Sequence, residues 1–73
     1  MKGQFHGRDI EIECAKQSDL YENAVVYGRH HSNYIIGCVK EVFDGGAMVL
    51  WHHSNPGVYD KRELQMLFIR TDS

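Results

Sequence analysis

The longest strand candidate in the chain is Tyr34-Ile-Ile-Gly-Cys-Val-Lys-Glu-Val-Phe43, which is rich in β-branched and aromatic residues. It is followed by Asp44-Gly45-Gly46 and then by the apolar segment Ala47-Met-Val-Leu-Trp51. Asp-Gly between two apolar runs is among the strongest signals for a β-hairpin, because glycine adopts positive φ without steric cost. The sequence therefore predicts two paired strands here, and Gly37 inside the first predicts a bulge or a sharp bend.

Shorter strand-like segments flank this hairpin on both sides. In Asp9–Cys14 the apolar side chains of Ile10 and Ile12 alternate with Glu11 and Glu13, which predicts a half-buried strand with an acidic outer face. Further strands are predicted over Ala24–Tyr27, Val58–Tyr59 and Phe68–Arg70.

Polar segments separate these strands. Asp60 and Glu63 have the spacing of a capping box, which predicts one short helical or 3₁₀ turn through Leu67. For Ser18–Asn23 a single helical turn and a polar loop fit equally well. The polar segment Arg29–Asn33 is predicted as a loop.

With 73 residues and 8.4 kDa, the chain forms one domain with a small core. We expect residues 1–8 to be a flexible N-terminal lead-in, residues 9–70 a single domain and residues 71–73 a tail. About five short strands cannot build two packed layers and a helix layer as well. Curling the sheet on itself provides a core and protects the strand edges, so we expect an all-β, small five-stranded barrel.

The order of these segments resembles an SH3-like barrel of the Tudor type over roughly residues 24–67. In that family an aromatic residue after a polar loop opens a strand of the form Y-x-x-G-x-V-x-x-V, as Tyr34 does here. A D-G hairpin, a strand ending near Trp and a turn carrying E-L follow, and Trp51 and Glu63-Leu64 match them. The resemblance implies a binding module, since Tudor-type domains often hold a methylated Lys or Arg in an aromatic cage. The matching cage positions are Tyr34, Trp51 and Tyr59, with Phe43 near the hairpin.

Aromatic and imidazole side chains offer a large contact area at a small cost in side-chain entropy, and they are enriched at binding surfaces. We therefore expect a non-enzymatic, regulatory binding module that docks a protein partner at one rim of the barrel. The residues expected at this rim are Tyr34, Trp51, Tyr59, His30, His31, His53 and Arg29. Affinity for an acidic partner should rise near pH 6, where histidines gain charge.

Two other functions stay open from the sequence. RNA or single-stranded DNA could bind the same barrel, with bases stacked on aromatic rings and with Arg29, Lys40, Lys61, Arg62 and Arg70 as candidate cations. His-His-Ser-Asn also occurs twice, at His30–Asn33 and His52–Asn55. If the two copies converge, neutral imidazoles could hold Zn²⁺ or a similar cation.

Composition argues against several classes of protein. The formal net charge of -2 gives no basic excess of the kind that nucleic-acid binding usually requires. No motif places a nucleophile, base and orienting group together, so we expect neither an enzyme nor a cofactor. The longest apolar run is too short to span a membrane and no export signal is evident. We therefore expect a cytoplasmic monomer or homodimer whose Cys14 and Cys38 are reduced.

Overall fold

The computed structural model describes residues 1–52 and 54–72. Almost all of the regular structure in these residues is β-strand, with two 3₁₀ turns. The strands are β1 (Lys2–Phe5), β2 (Arg8–Cys14), β3 (Val25–His30), β4 (Asn33–Phe43), β5 (Gly46–Trp51), β6 (Gly57–Asp60) and β7 (Leu67–Arg70). The 3₁₀ turns cover Gln17–Asp19 and Glu63–Met66.

All pairings in the sheet are antiparallel, and the strand order is β1-β2-β7-β3-β4-β5-β6. Although β1 and β4 are separated by three strands in this order, they touch each other. A Cβ atom placed on Gly3 of β1 would lie 2.5 Å from Cε2 of Tyr34 in β4. The sheet is therefore curled like part of a barrel, and the all-β prediction is confirmed.

Two hydrophobic clusters lie on opposite faces of this sheet, because consecutive residues of a strand point to opposite sides. Val26 and Leu67 are fully buried in the large cluster, whereas their neighbours Tyr27 and Phe68 belong to the small one. The buried members of the large cluster are Ala15, Leu20, Ala24, Val26, Val39, Ala47, Val49, Leu64 and Leu67. Those of the small cluster are Ile10, Ile12 and Tyr27, with Phe5, Tyr34, Ile36 and Phe68 packed against them.

The central hairpin forms as the sequence predicts. Phe43 pairs with Gly46 across a two-residue turn, and Gly45 adopts φ 79°. The irregularity in β4 is not at Gly37, however, because the register shifts between Val39 and Glu41. Gly37 stays in the ladder, and its missing side chain serves instead to accommodate the ring of Trp51.

The structure has seven strands in place of the five expected. Within the segment expected to be a lead-in, β1 pairs with β2 across a turn at His6 and Gly7, whose φ angles are 51° and 76°. Two consecutive positive φ values are typical of the tight turns that match strand twist. The polar segment between β3 and β4 is also shorter than predicted, because pairing continues to His30 and Asn33.

The capping prediction before the second 3₁₀ turn is confirmed. The backbone N–H groups of Arg62 and Glu63 donate to Asp60 Oδ1 at 2.9 and 3.0 Å, and Glu63 Oε1 accepts from the backbone of Asp60. Leu64 in this turn is buried and belongs to the large cluster. The turn thus brings the chain from β6 into β7 while adding a side chain to the core.

The described residues include no helix long and apolar enough to cross a membrane.

Candidate binding site

The side chain of Trp51 lies across a platform made by two glycines. A Cβ atom on Gly28 of β3 would be 2.6 Å from Cη2 of the indole, and one on Gly37 of β4 would be 2.5 Å from Cε3. Gly37 is also the direct cross-strand partner of Trp51. Since real Cβ atoms do not approach so closely, the ring keeps this position only because both strands lack a side chain there.

Tyr59 holds the other side of the indole. Trp51 Nε1 donates a hydrogen bond to Tyr59 Oη at 3.0 Å, and the two rings meet edge to face at an interplanar angle of 84°. The ring of Tyr59 also lies against Gly57, at the start of its own strand. Both rings are half-buried, so they form a fixed aromatic surface with one side open to solvent.

A groove of about 320 Å³ runs beside this aromatic pair, and we call it the Trp51 groove. It passes between the end of β3, the start of β4, the segment that leads into β6 and the second 3₁₀ turn. The lining residues are Gly28, Arg29, His30, Ile35, Trp51, Ser54, Asn55, Pro56, Gly57, Tyr59 and Met66.

A second groove of about 290 Å³ adjoins the first, and we call it the His52 groove. It is lined by Phe5, His6, His30, Tyr34, Ile35, Ile36, His52 and Ser54. His30, Ile35 and Ser54 line both grooves and therefore form the wall that they share. The two grooves therefore adjoin along this wall, and the imidazoles of His6, His30 and His52 border them.

The structure brings some of the predicted rim residues together and separates others. Trp51, Tyr59, Arg29 and His30 all line the Trp51 groove. Tyr34 does not join them, because its ring packs edge to face on Phe68 at 5.3 Å in the small cluster. It lines the adjoining His52 groove instead.

Of the remaining predicted residues, His31 lies at the turn between β3 and β4. His31 has φ 56°, and its ring lies edge to face on that of His30 at 4.4 Å. Its carbonyl oxygen accepts a hydrogen bond from Arg29 Nε at 3.4 Å. His53 lies outside the described residues. Phe43 is at the far end of β4, beside Gly46, and does not join the aromatic pair.

The cations proposed for nucleic-acid binding do not gather in one place. Arg29 lines the Trp51 groove, Lys61 lines a separate groove with Asp44, and Arg70 lines a third one with Asp72. Arg70 Nε donates to Asp72 Oδ1 at 2.6 Å, and this bond lowers the pKa of the Asp72 carboxyl. The charge of Arg70 is therefore already balanced within the chain.

No group of three or more histidine, cysteine or acidic side chains among residues 1–52 and 54–72 has the arrangement of a metal site. Cys14 is exposed and Cys38 is half-buried, and both are free thiols. The two His-His-Ser-Asn segments do approach each other, since His30 and His52 line the same groove.

Phe5 and His6 are site residues that sequence reasoning missed. The β1–β2 hairpin carries them to the His52 groove, where the Phe5 ring meets the rings of His6 at 4.3 Å and Tyr27 at 5.2 Å. Gly7 is the residue in the sequence that could have indicated this hairpin, because glycine in the second position of a two-residue turn favours a hairpin. The position of that hairpin depends on contacts with distant strands.

Comparisons with protein families, with curated proteins and with solved structures give no significant match to this chain.

Proposed function

We propose that this protein is a non-enzymatic binding module that holds a segment of a partner protein in the Trp51 groove. The observation that carries the proposal is the fixed, half-exposed pair of Trp51 and Tyr59, supported from below by Gly28 and Gly37. Aromatic anchors beside a pocket are the usual centres of binding energy in protein interfaces.

Rigidity favours this use of the aromatic pair. The indole cannot turn freely, because two strands support it and a hydrogen bond at 3.0 Å fixes its edge. A partner segment that binds there loses its own freedom but does not have to order the groove, and such preorganisation improves affinity. The similarity to Tudor-type barrels points in the same direction, since those domains are binding modules.

Nucleic acid is the second class of partner, and the geometry favours it less. Single-stranded nucleic acid is held by several cations along its backbone and by rings on which successive bases stack. Arg29 is the one permanently charged residue among the described residues that line the two grooves. The perpendicular rings of Trp51 and Tyr59 do not offer two parallel faces for neighbouring bases.

A random-peptide selection tests the proposal directly. Peptides of about ten residues are long enough, when extended, to cross the domain, whose longest dimension is 34 Å. Selected peptides should bind the intact protein, and Met66→Ala should weaken their binding about fivefold or more because Met66 lines the Trp51 groove.

Val58→Ala is the matched control for this experiment. Val58 and Met66 have nearly equal relative exposure, 58% and 56%, so neither substitution removes a core residue. Val58 precedes Tyr59 in β6 and points to the opposite face of the sheet, so its substitution should leave the affinity unchanged. Failure to select any peptide, or equal effects of the two variants, would contradict binding in the Trp51 groove.

A further inference from the structure

Four basic side chains from different parts of the chain line the two adjoining grooves. Arg29 and His30 come from the end of β3, His52 follows β5, and His6 comes from the turn between β1 and β2. His31 adds a further imidazole behind His30, with the two ring centroids 4.4 Å apart. These residues are remote in sequence, so the fold alone assembles them.

Acidic side chains are missing from the lining of these grooves in the part of the chain that the structure describes. None of the described residues lining either groove is Asp or Glu, although the chain has ten acidic residues against eight Lys and Arg. The other titratable groups in the grooves are the phenols of Tyr34 and Tyr59. An acid-free, imidazole-rich depression in an acidic protein is complementary in charge to an acidic ligand.

The charged groups on neighbouring strands do not cancel this arrangement. Arg8 and Asp9 belong to β2. Asp9 lies in a neighbouring depression that Arg29 and Tyr34 also line, and the Gln4 side chain donates a hydrogen bond to it there. Asp60 follows Tyr59 in β6, but its side chain accepts the hydrogen bonds that cap the second 3₁₀ turn. Both carboxylates therefore have partners outside the two grooves.

We propose that the segment bound in the Trp51 groove is acidic, and that its affinity rises as the pH falls from about 8 to about 6. This inference rests on the proposed function and specifies the partner. An apolar side chain of the segment packs on Trp51 and Tyr59, and its carboxylates lie along Arg29, His30, His52 and His6. Histidine charge ordinarily changes in this pH range, so protonation adds attraction to the ligand.

The same selection provides the probes for this proposal. Peptides selected at about pH 6 should contain an excess of Asp and Glu over the starting library. For the best of them, fluorescence anisotropy should show about tenfold tighter binding at pH 6 than at pH 8. A copy with Gln and Asn in place of Glu and Asp should lose this gain and bind equally at both pH values.

Variants of the protein assign the effect to the grooves. The double variant His30→Gln, His52→Gln should reduce the pH-dependent gain to about twofold or less, since it removes two of the three imidazoles that line the His52 groove. Lys40→Gln removes an exposed positive charge at the β4 irregularity, which lines neither groove, and should leave the gain intact. Circular dichroism of each variant verifies that the sheet is retained.

The outcomes separate the two proposals. If the binding of the selected peptides depends on Met66 but the peptides show no acidic excess and no pH dependence, the proposal of an acidic partner is wrong. The proposed function would still stand. Peptides that do not depend on Met66 would overturn the proposed function itself. Tighter binding of an oligouridylate than of the selected acidic peptides, measured under the same conditions, would assign the cationic surface to nucleic acid instead.

Discussion

Trp51 and Tyr34 are both half-buried aromatic residues that lie against glycines, but their supports differ. Trp51 rests on Gly28 and Gly37, which lie in β3 and β4 within the same stretch of hydrogen-bonded sheet. Tyr34 lies against Gly3, which belongs to an edge strand that is separated from β4 by three other strands in the sheet order. One ring is thus supported by neighbouring strands and the other by a hairpin that folds across the sheet.

This difference separates an aromatic pair that is open for binding from a ring that packs in the small cluster and only borders the adjoining His52 groove. The Trp51 side keeps an open groove because nothing within the described chain covers the aromatic pair completely. On the Tyr34 side, β1 and β2 cover the sheet with Ile10, Ile12 and Phe5. The same combination of ring and glycine therefore stabilises the fold on one face and supports the candidate site on the other.

Ile12→Ala should have the largest effect on the Tyr34 side. Ile12 is fully buried in the small cluster, and removing a large buried aliphatic side chain costs about 2–5 kcal/mol of folding free energy. Urea denaturation measures this loss. The indole N–H resonance of Trp51 in the folded fraction should stay in place. A cost below about 1 kcal/mol, or a shifted indole signal, would mean that the two sides are not organised as described.

Gly37→Ala should have the next largest effect, and it acts on the Trp51 side. The new Cβ would crowd Trp51 and also lie 2.9 Å from the backbone oxygen of Leu50, so we expect a loss of about 1–3 kcal/mol. Gly28→Ala meets only the indole at close range and should cost less. Both variants should change tryptophan emission, whereas Gly3→Ala should crowd Tyr34 and leave that emission unchanged. Equal emission changes in all three variants would contradict the conclusion that Trp51 and Tyr34 are supported by different glycines.

Tyr59→Phe tests the hydrogen bond that fixes the aromatic pair. It removes the oxygen that accepts from Trp51 Nε1 at 3.0 Å, and the loss of a partly buried hydrogen bond costs about 0.5–1.5 kcal/mol. Hydrogen exchange at the indole N–H should accelerate. Tyr21→Phe is a suitable control because Tyr21 is 65% exposed. An unchanged exchange rate in Tyr59→Phe would show that this hydrogen bond does not restrain the ring.

Asp72→Asn should have the smallest effect, and it depends on pH. The hydrogen bond from Arg70 lowers the pKa of Asp72 in the folded protein, so the carboxylate contributes stability above its unfolded pKa. That contribution is lost as the pH falls through the lowered folded value. Any difference between wild type and variant in urea denaturation should therefore be present near neutral pH and vanish well below about pH 4. A difference that grows on acidification would contradict the shift.

Local signals in the sequence predicted the parts of the fold that depend on neighbouring residues. Asp44-Gly45 predicted the central hairpin, and its register places Trp51 opposite Gly37. The spacing of Asp60 and Glu63 predicted the second 3₁₀ turn, whose capping bonds lie within four residues. Trp51 and Tyr59 were expected at one rim of a barrel, and in the structure their rings contact each other edge to face.

Contacts between distant segments were not predictable in the same way. The lead-in over residues 1–8 has little periodicity, and β1 is held by its pairing with β2 and its contact with Tyr34. Because β1 was missed, Phe5 and His6 were absent from the predicted site, and Tyr34 was expected beside Trp51. Gly37 was interpreted as a bulge because the sequence alone does not show which aromatic ring packs against a glycine.

The most direct test of a binding site at the Trp51 groove is a nuclear magnetic resonance titration of the ¹⁵N-labelled protein with a selected acidic peptide. The chain has one tryptophan, so its indole N–H gives a single assignable signal. That signal and the backbone amides of His30 and Ser54, on the wall shared by the two grooves, should shift most. Shifts confined to Glu11 and Glu13 on β2, with the indole signal unmoved, would contradict the account.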